Sequence, residues 1–214
     1  MRHTLTTQGY GIRLRPVHLE DAPFIVWLRN LDYVKGRVGD SAEDIESQKQ
    51  WLNNYFERKG DYYFIVETWN ATPLGTYGAY NMTGTEVEIG RTVFRPAVLA
   101  LVPSTVLLLD LLYGQMGITQ VRAATVASNL VIHSLLRKGG FSKVEVGPAA
   151  RVIAGHAVDL SHFVQTAEDW RQARERSHMA SRRGESAILQ WEQSNLSTNG
   201  GTFRSEIGQQ KGEL

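Results

Sequence analysis

The sequence predicts an α/β (α+β) fold: a mixed, mostly antiparallel sheet with helices on both faces. Two observations carry this. Three strand-like runs follow closely, Tyr62–Thr68, residues 74–81 and Glu86–Phe94, with turn residues at 69–73 and 83–85 between them. Short β-rich runs joined by tight turns make an antiparallel meander. After Pro96 the pattern becomes helix (104–116), strand (Gln120–Val126), helix (129–138) and strands near 141–146 and 158–165. A strand–helix–strand crossover sets its strands parallel, so Glu86–Phe94 and Gln120–Val126 are expected side by side and parallel.

The N-terminal elements follow from local pattern. Residues 11–17 alternate Ile12, Leu14 and Pro16 against Arg13 and Arg15, a first strand. Glu20, Asp21, Ala22 and Pro23 precede an apolar face of Phe24, Ile25, Trp27 and Leu28, which reads as a helix with an acidic first turn. Ser41 with Asp44 three residues later reads as a capping-box variant opening a second helix. That helix carries Ile45, Trp51, Leu52, Tyr55 and Phe56 and ends at Gly60. At the other end, residues 167–193 read as a charged helix anchored by Trp170, Ile188, Leu189 and Trp191. Residues 194–214 are polar and glycine-rich and read as disordered. The expected division is a domain over 1–170, a charged helix over 171–193 and a tail over 194–214.

Composition narrows the function classes. With 214 residues, 42% hydrophobic and 21% charged, the chain matches an ordinary globular protein able to bury a core. The densest apolar stretch, 97–112, is broken by Pro103, Ser104, Thr105 and Asp110, so no membrane span is expected. Arg2 has no apolar run behind it, so no secretory signal is expected, and a cytoplasmic location follows. The absence of cysteine excludes disulfides, thiolate metal sites and a cysteine nucleophile. A net charge of +1, from 23 basic and 22 acidic residues, gives no general drive toward nucleic acid. Arg171, Arg174, Arg176, Arg182 and Arg183 crowd the C-terminal region; without interleaved aromatics they read as a solvated helix face rather than a nucleic-acid patch. Dinucleotide, P-loop, zinc-protease and serine-hydrolase motifs are all missing, and no metal site is expected.

Several signatures occur in order. They are Ile12-Arg13-Leu14-Arg15-Pro16 with Glu20-Asp21, then Trp27-Leu28-Arg29-Asn30 with Ser47 and Trp51, then Glu88-Ile89-Gly90 with Arg95-Pro96. Asn129 with Gly140-Phe141, and His162-Phe163 with Trp170, complete the set. Together they resemble the Gcn5-related N-acetyltransferase (GNAT) family, in the branch of ribosomal-protein-alanine and nucleotide-aminosugar acetyltransferases. The resemblance covers about residues 12–170.

That resemblance implies an acyl transfer from acetyl-CoA, or another acyl-CoA, to a primary amine of a small molecule such as an amino sugar or amino acid. It implies that the parallel strands splay apart, with the thioester between them and its carbonyl oxygen held near Val93 and Phe94. Coenzyme phosphates would meet the helix start at Leu99, Leu101, Ser104 and Thr105, with Asn129 contributing nearby. This segment holds no glycine, although the family loop is glycine-rich, and Leu136 stands where many members have a tyrosine acid. Ser104 and Thr105 read either as phosphate ligands or as helix caps. Glu88 reads as the base that takes the amine proton, or as a solvent-facing strand residue, since Glu86 and Thr92 share its parity. His162 is the alternative base, and His133 reads as an acid or as a structural histidine. Trp27, Arg29, Trp51, Tyr77, Tyr80 and Arg91 are candidates for the acceptor pocket, with core packing the competing reading for the tryptophans. Two other functions stand beside this one: a protein N-terminal acetyltransferase, and a non-catalytic ligand-binding module of the same fold. The tail offers a contact for a homodimer.

Overall fold

The computed structural model describes residues 2–34, 44–95, 99–144, 150–153 and 156–198. Their strands are β1 (Thr7–Gly9), β2 (Ile12–Pro16), β3 (Tyr62–Thr68), β4 (Pro73–Thr83), β5 (Glu86–Phe94), β6 (Gln120–Val126), β7 (Ser142–Val144), β8 (Ala150–Ile153) and β9 (His156–Thr166). The helices are α1 (Ala22–Arg29), α2 (Ile45–Phe56), α3 (Leu101–Asp110), α4 (Leu130–Lys138) and α5 (Ala167–Thr198). The sheet runs in the order β1-β2-β3-β4-β5-β6-β9-β7, and β8 forms a hairpin with the first residues of β9. Among the described pairings only β5–β6 is parallel. It is the pair the crossover pattern predicts.

Alternation along the strands sends side chains to two cores. Ile12, Leu14, Phe64, Val66, Val87 and Ile89 pack with Leu108 and Leu109 of α3 and with Trp170 and Ile188 of α5. Tyr63 and Ile65 face the other way, against Phe24, Ile25 and Leu28 of α1 and Leu52 of α2. Burying such side chains contributes about 1.5–3 kcal/mol each, so both layers are driven by the same apolar periodicity.

Local chemistry shifts several boundaries. Asp44, not Ser41, caps α2: its carboxylate accepts the Ser47 N–H at 2.7 Å, while Ser41 lies outside the described residues. α3 starts at Leu101 rather than at Ser104, because Pro103 sits in its first turn, where a missing N–H costs nothing. Ser104 and Thr105 therefore do not cap it. Their hydroxyls donate back to Ala100 O at 2.7 Å and to Leu101 O at 2.7 Å. The helix closes with a π-turn over Leu111–Gln115, so Met116 N–H bonds to Leu111 O at 3.1 Å. β7 covers only part of the strand expected near 141–146, and residues 145–149 lie outside the described set. α5 extends to Thr198, so Ser194–Thr198, expected to be disordered, is helical; residues 199–214 are not described. β8 has no counterpart in the pattern analysis, since its few residues show no clear alternation.

The long α5 is tied down rather than merely solvated. Ala173 and Ser181 are fully buried, and α5 packs along α3. Asp110 at the end of α3 accepts from Trp170 Nε1 at 3.1 Å and from Arg174 Nε at 2.8 Å. Its other oxygen lies 2.9 Å from His178 Nε2.

Candidate active site

The sheet forks at its parallel pair. β5 and β6 pair from Glu86↔Gln120 to Ile89↔Ala123 and no further. Beyond that point β6 stays with β9, from Ala124↔His162 to Val126↔Leu160, while β5 stays with β4 up to Gly75↔Phe94. A cavity of about 1410 Å³ passes through the fork. On one side it reaches Arg29 and Trp51 near α1 and α2; on the other it reaches Thr105, Ile132 and Ser177 among α3, α4 and α5.

A bulge shapes the β5 arm. Thr76 pairs with Val93 and Gly78 with Gly90, so Arg91 and Thr92 together oppose Tyr77. Arg91 adopts φ +50°, the left-handed conformation that lets a strand carry an extra residue. The side-chain phase flips across it. Val87 and Ile89 belong to the α3 core, but Val93 belongs to the α1–α2 core. Thr92 consequently interacts with Tyr77 on the α3 side, so it does not share a face with Glu88 as simple alternation predicts.

Glu88 stands at the fork, opposite Tyr80 across the strands. Its carboxylate accepts from Tyr80 Oη at 3.1 Å and from Asn81 Nδ2 at 3.1 Å. Gly90 makes this possible: a Cβ there would lie 2.4 Å from the Tyr80 hydroxyl. Burial, then the Glu88 charge and its hydrogen bond, push the Tyr80 phenol well above its ordinary value, so it stays a donor. Glu86, which shares Glu88's parity, instead pairs with Arg122 on β6. The two glutamates are thus chemically distinct.

The wall on the α2 side is aromatic and cationic. Trp51 stacks on Tyr55 at 5.7 Å and meets Tyr63 edge-on at 5.8 Å. The Arg91 guanidinium lies 4.4 Å from the Tyr80 ring centroid and 5.4 Å from that of Trp51. Its fork is held by Asp61, with Arg91 Nη2 donating to Oδ2 at 2.9 Å. Burial acts to lower the Arg91 pKa, but the Asp61 hydrogen bond and charge outweigh it, and the net direction is up.

Of the residues singled out from sequence, Glu88, Val93, Phe94, Leu101, Thr105, Asn129, Arg29, Trp51, Tyr77, Tyr80 and Arg91 line the cavity. Tyr77 is buried, with its hydroxyl 3.1 Å from Thr105 Oγ1. Trp27 instead stacks on Phe24 at 5.9 Å beside the α1–α2 core, the packing role weighed against it. Leu99 is exposed and Ser104 is fully buried, and neither lines the cavity. His133 is buried, edge-on to Phe163 at 5.1 Å, and His162 sits on β9 with Nε2 buried; both lie off the cavity wall. Asn129 caps α4, accepting weakly from Ile132 N–H at 3.4 Å.

Sequence reasoning missed Asn81, Asp61, Arg58 and Arg151 on one side of the fork and Lys138 and Arg176 on the other. Asn81 was findable, as an Asn–Met–Thr–Gly run at a strand end favours left-handed backbone, and Asn81 has φ +54°. Arg151 and Arg176 reach the cavity only through long-range packing of β8 and α5. No helix among the described residues is long and apolar enough to cross a membrane, and no described group of side chains could hold a metal ion.

Comparison with known proteins agrees with this architecture. No curated protein matches the chain. Among solved structures, FdhC, a nucleotide-linked sugar GNAT in its apo form, superposes with a TM-score of 0.69 at 22% identity, covering 81% of this chain and 97% of that one. A GCN5-related N-acetyltransferase from Brucella melitensis gives 0.72 at 13% identity, with 83% and 85% covered. Spermidine N-acetyltransferase from Vibrio cholerae, in complex with CoA and spermine, gives 0.68 at 14% identity, with 76% and 99% covered. At these identities the likeness is one of fold. The family model for the acetyltransferase (GNAT) domain matches residues 12–142, more than half of the sequence, and the chain belongs to the GNAT acetyltransferase family.

Proposed function

We infer that the protein is an N-acyltransferase that moves an acetyl or other acyl group from coenzyme A to a primary amine of a small molecule. The observation that carries this is the fork: a single cavity crosses the sheet where β5 and β6 part, with Glu88 at the crossing. Single-ligand pockets run to about 300–1,000 Å³. At about 1410 Å³ this cavity has room for two reactants at once.

On this reading residues 1–170 form the transferase domain, and the acyl-CoA enters from the α3–α4 side. Beyond Ile89, β5 has no partner on its β6 side, and backbone N–H groups that face this opening near Val93 and Phe94 can hold the thioester oxygen as charge develops on it. Leu101, Thr105 and Asn129 border the coenzyme's path. The amine comes from the Trp51 side. Glu88 takes a proton from the ammonium, directly or through water, and the freed nitrogen lone pair attacks the carbonyl carbon. The C–N bond forms, the nitrogen gives its second proton to solvent, the C–S bond breaks, and the sulfur leaves as a thiolate that takes a proton from solvent. Since a thiol pKa is about 8.5, departure needs no strong acid, consistent with Leu136 at the position where relatives carry tyrosine. Most of the rate then comes from alignment.

Two measurements test the reading. Acetyl-CoA at one hundred times its dissociation constant stabilises the folded chain by about 2.7 kcal/mol and raises the melting temperature. Thiol release in the presence of amines then reports transfer. Absence of both a shift and any thiol release, with acetyl-CoA and longer acyl-CoAs alike, overturns the proposal in favour of a non-catalytic module.

A further inference from the structure

The cavity is far more basic than the chain that forms it. The protein as a whole carries a net charge of +1, yet five arginines border the acceptor half of the cavity: Arg29, Arg58, Arg91, Arg95 and Arg151. Among the described residues, Glu88 is the sole carboxylate lining it. Asp61 behind the wall offsets Arg91, and lies 3.7 Å from Arg58. Arg29 and Arg95 make further contacts of their own, so the weight falls on Arg58 and Arg151. Arg58 is exposed, 5.3 Å from the Trp51 ring centroid. Arg151 is exposed on β8 and close enough to Tyr80 for its charge to act on that phenol.

We propose that the acceptor is an amine carried on an anionic molecule, with phosphate or carboxylate oxygens held by Arg58 and Arg151 while its amino group reaches Glu88. This rests on the acyl-transfer reading for the role of Glu88, but the charge preference is a property of the binding site itself. Arginine presents a planar fork of donors that matches phosphate and carboxylate oxygens, and the half-buried Trp51 adds aromatic surface beside them. A polyamine meets the opposite situation. Its several positive charges would approach several guanidinium groups with one lining carboxylate to receive them, and like-charge juxtaposition selects against such a partner. The fold neighbours include proteins described for both chemistries, a nucleotide-linked sugar and spermidine, so fold similarity leaves the question to the charges.

Calorimetric titration of the full chain decides it, using glucosamine 1-phosphate, a nucleoside-diphosphate amino sugar, aspartate, glucosamine and spermidine. The expected result is at least about tenfold tighter binding of an anionic amine than of glucosamine, weakening with added salt, and still weaker binding of spermidine. Whether phosphate or carboxylate is the source is read from the phosphorylated ligands against aspartate. The Arg58→Gln/Arg151→Gln double variant, altered only at exposed positions, narrows the ratio between glucosamine 1-phosphate and glucosamine. Equal affinity for the two, binding of no anionic amine, or a preference for spermidine overturns the proposal. Thiol release is scored separately: anionic amines that bind but are never acetylated refute the transferase reading and leave the charge preference standing.

Discussion

At the scale of single residues, Glu88 is set apart by what it touches. Cross-strand register brings it to Tyr80 and Asn81, while Glu86, two residues away, is consumed by Arg122. Glu88→Gln keeps the side-chain shape and one of the two accepted hydrogen bonds but cannot take a proton, so kcat is expected to fall by about 10²–10⁴ with the KM for acetyl-CoA nearly unchanged. Steady-state kinetics against both substrates checks this, and an unaffected kcat moves the base elsewhere. Gly90→Ala drives a methyl into the Tyr80 hydroxyl, at an expected cost of about 1–3 kcal/mol in urea unfolding. Adding Tyr80→Phe removes the colliding oxygen and recovers part of that loss; strict additivity would show that the clash is not the cause. Burial raises the Tyr55 phenol from 10.0 to about 12. The folded chain thus retains a proton that the unfolded chain releases between those values. The associated stability is intact below about pH 10 and lost as pH rises through about 12. The urea midpoint should fall across that window, and fall less steeply in Tyr55→Phe. Residue types alone left Glu88 as a base or as a solvent-facing strand residue; the environment that separates it from Glu86 depends on partners from other strands.

At the scale of elements, α5 matters through Asp110. One carboxylate receives Trp170 and Arg174 and lies beside His178, joining the end of α3 to the first three turns of α5. Asp110→Ala leaves those donors without their acceptor and is expected to cost about 1–3 kcal/mol, with hydrogen exchange quickening first in α5. Uniform loss of protection across the sheet would contradict that local role. The elements were largely legible from sequence because their apolar periods are strong: β3, β5 and β6 have the bounds the pattern predicts. The exceptions have local causes. Pro103 is compatible with a first turn as well as with a loop, so α3 begins earlier than its pattern suggests. β8 has four residues and its stability comes from pairing with β9, which no period-two count can register.

At the scale of the whole molecule, the fork requires that β5 and β6 separate after Ile89 and Ala123. Ala124 lines the opening from the β6 arm. Ala124→Phe fills that space from a strand that stays paired with β9, so the fold should persist by circular dichroism while the thermal shift with acetyl-CoA disappears. A shift that persists undiminished would place the coenzyme elsewhere. By itself the sequence determined the order of most elements and the parallel pair, because apolar periodicity and crossover topology are local or topological properties, while the candidates at the fork came from the family resemblance. Only the tertiary structure decided that the bulge at Arg91 turns Thr92 away from Glu88, that His133 and His162 lie off the cavity wall, and that β8 brings Arg151 to the cavity. Each of these turns on register and on contacts between distant segments, and periodicity records which side of an element is buried without naming what it is buried against.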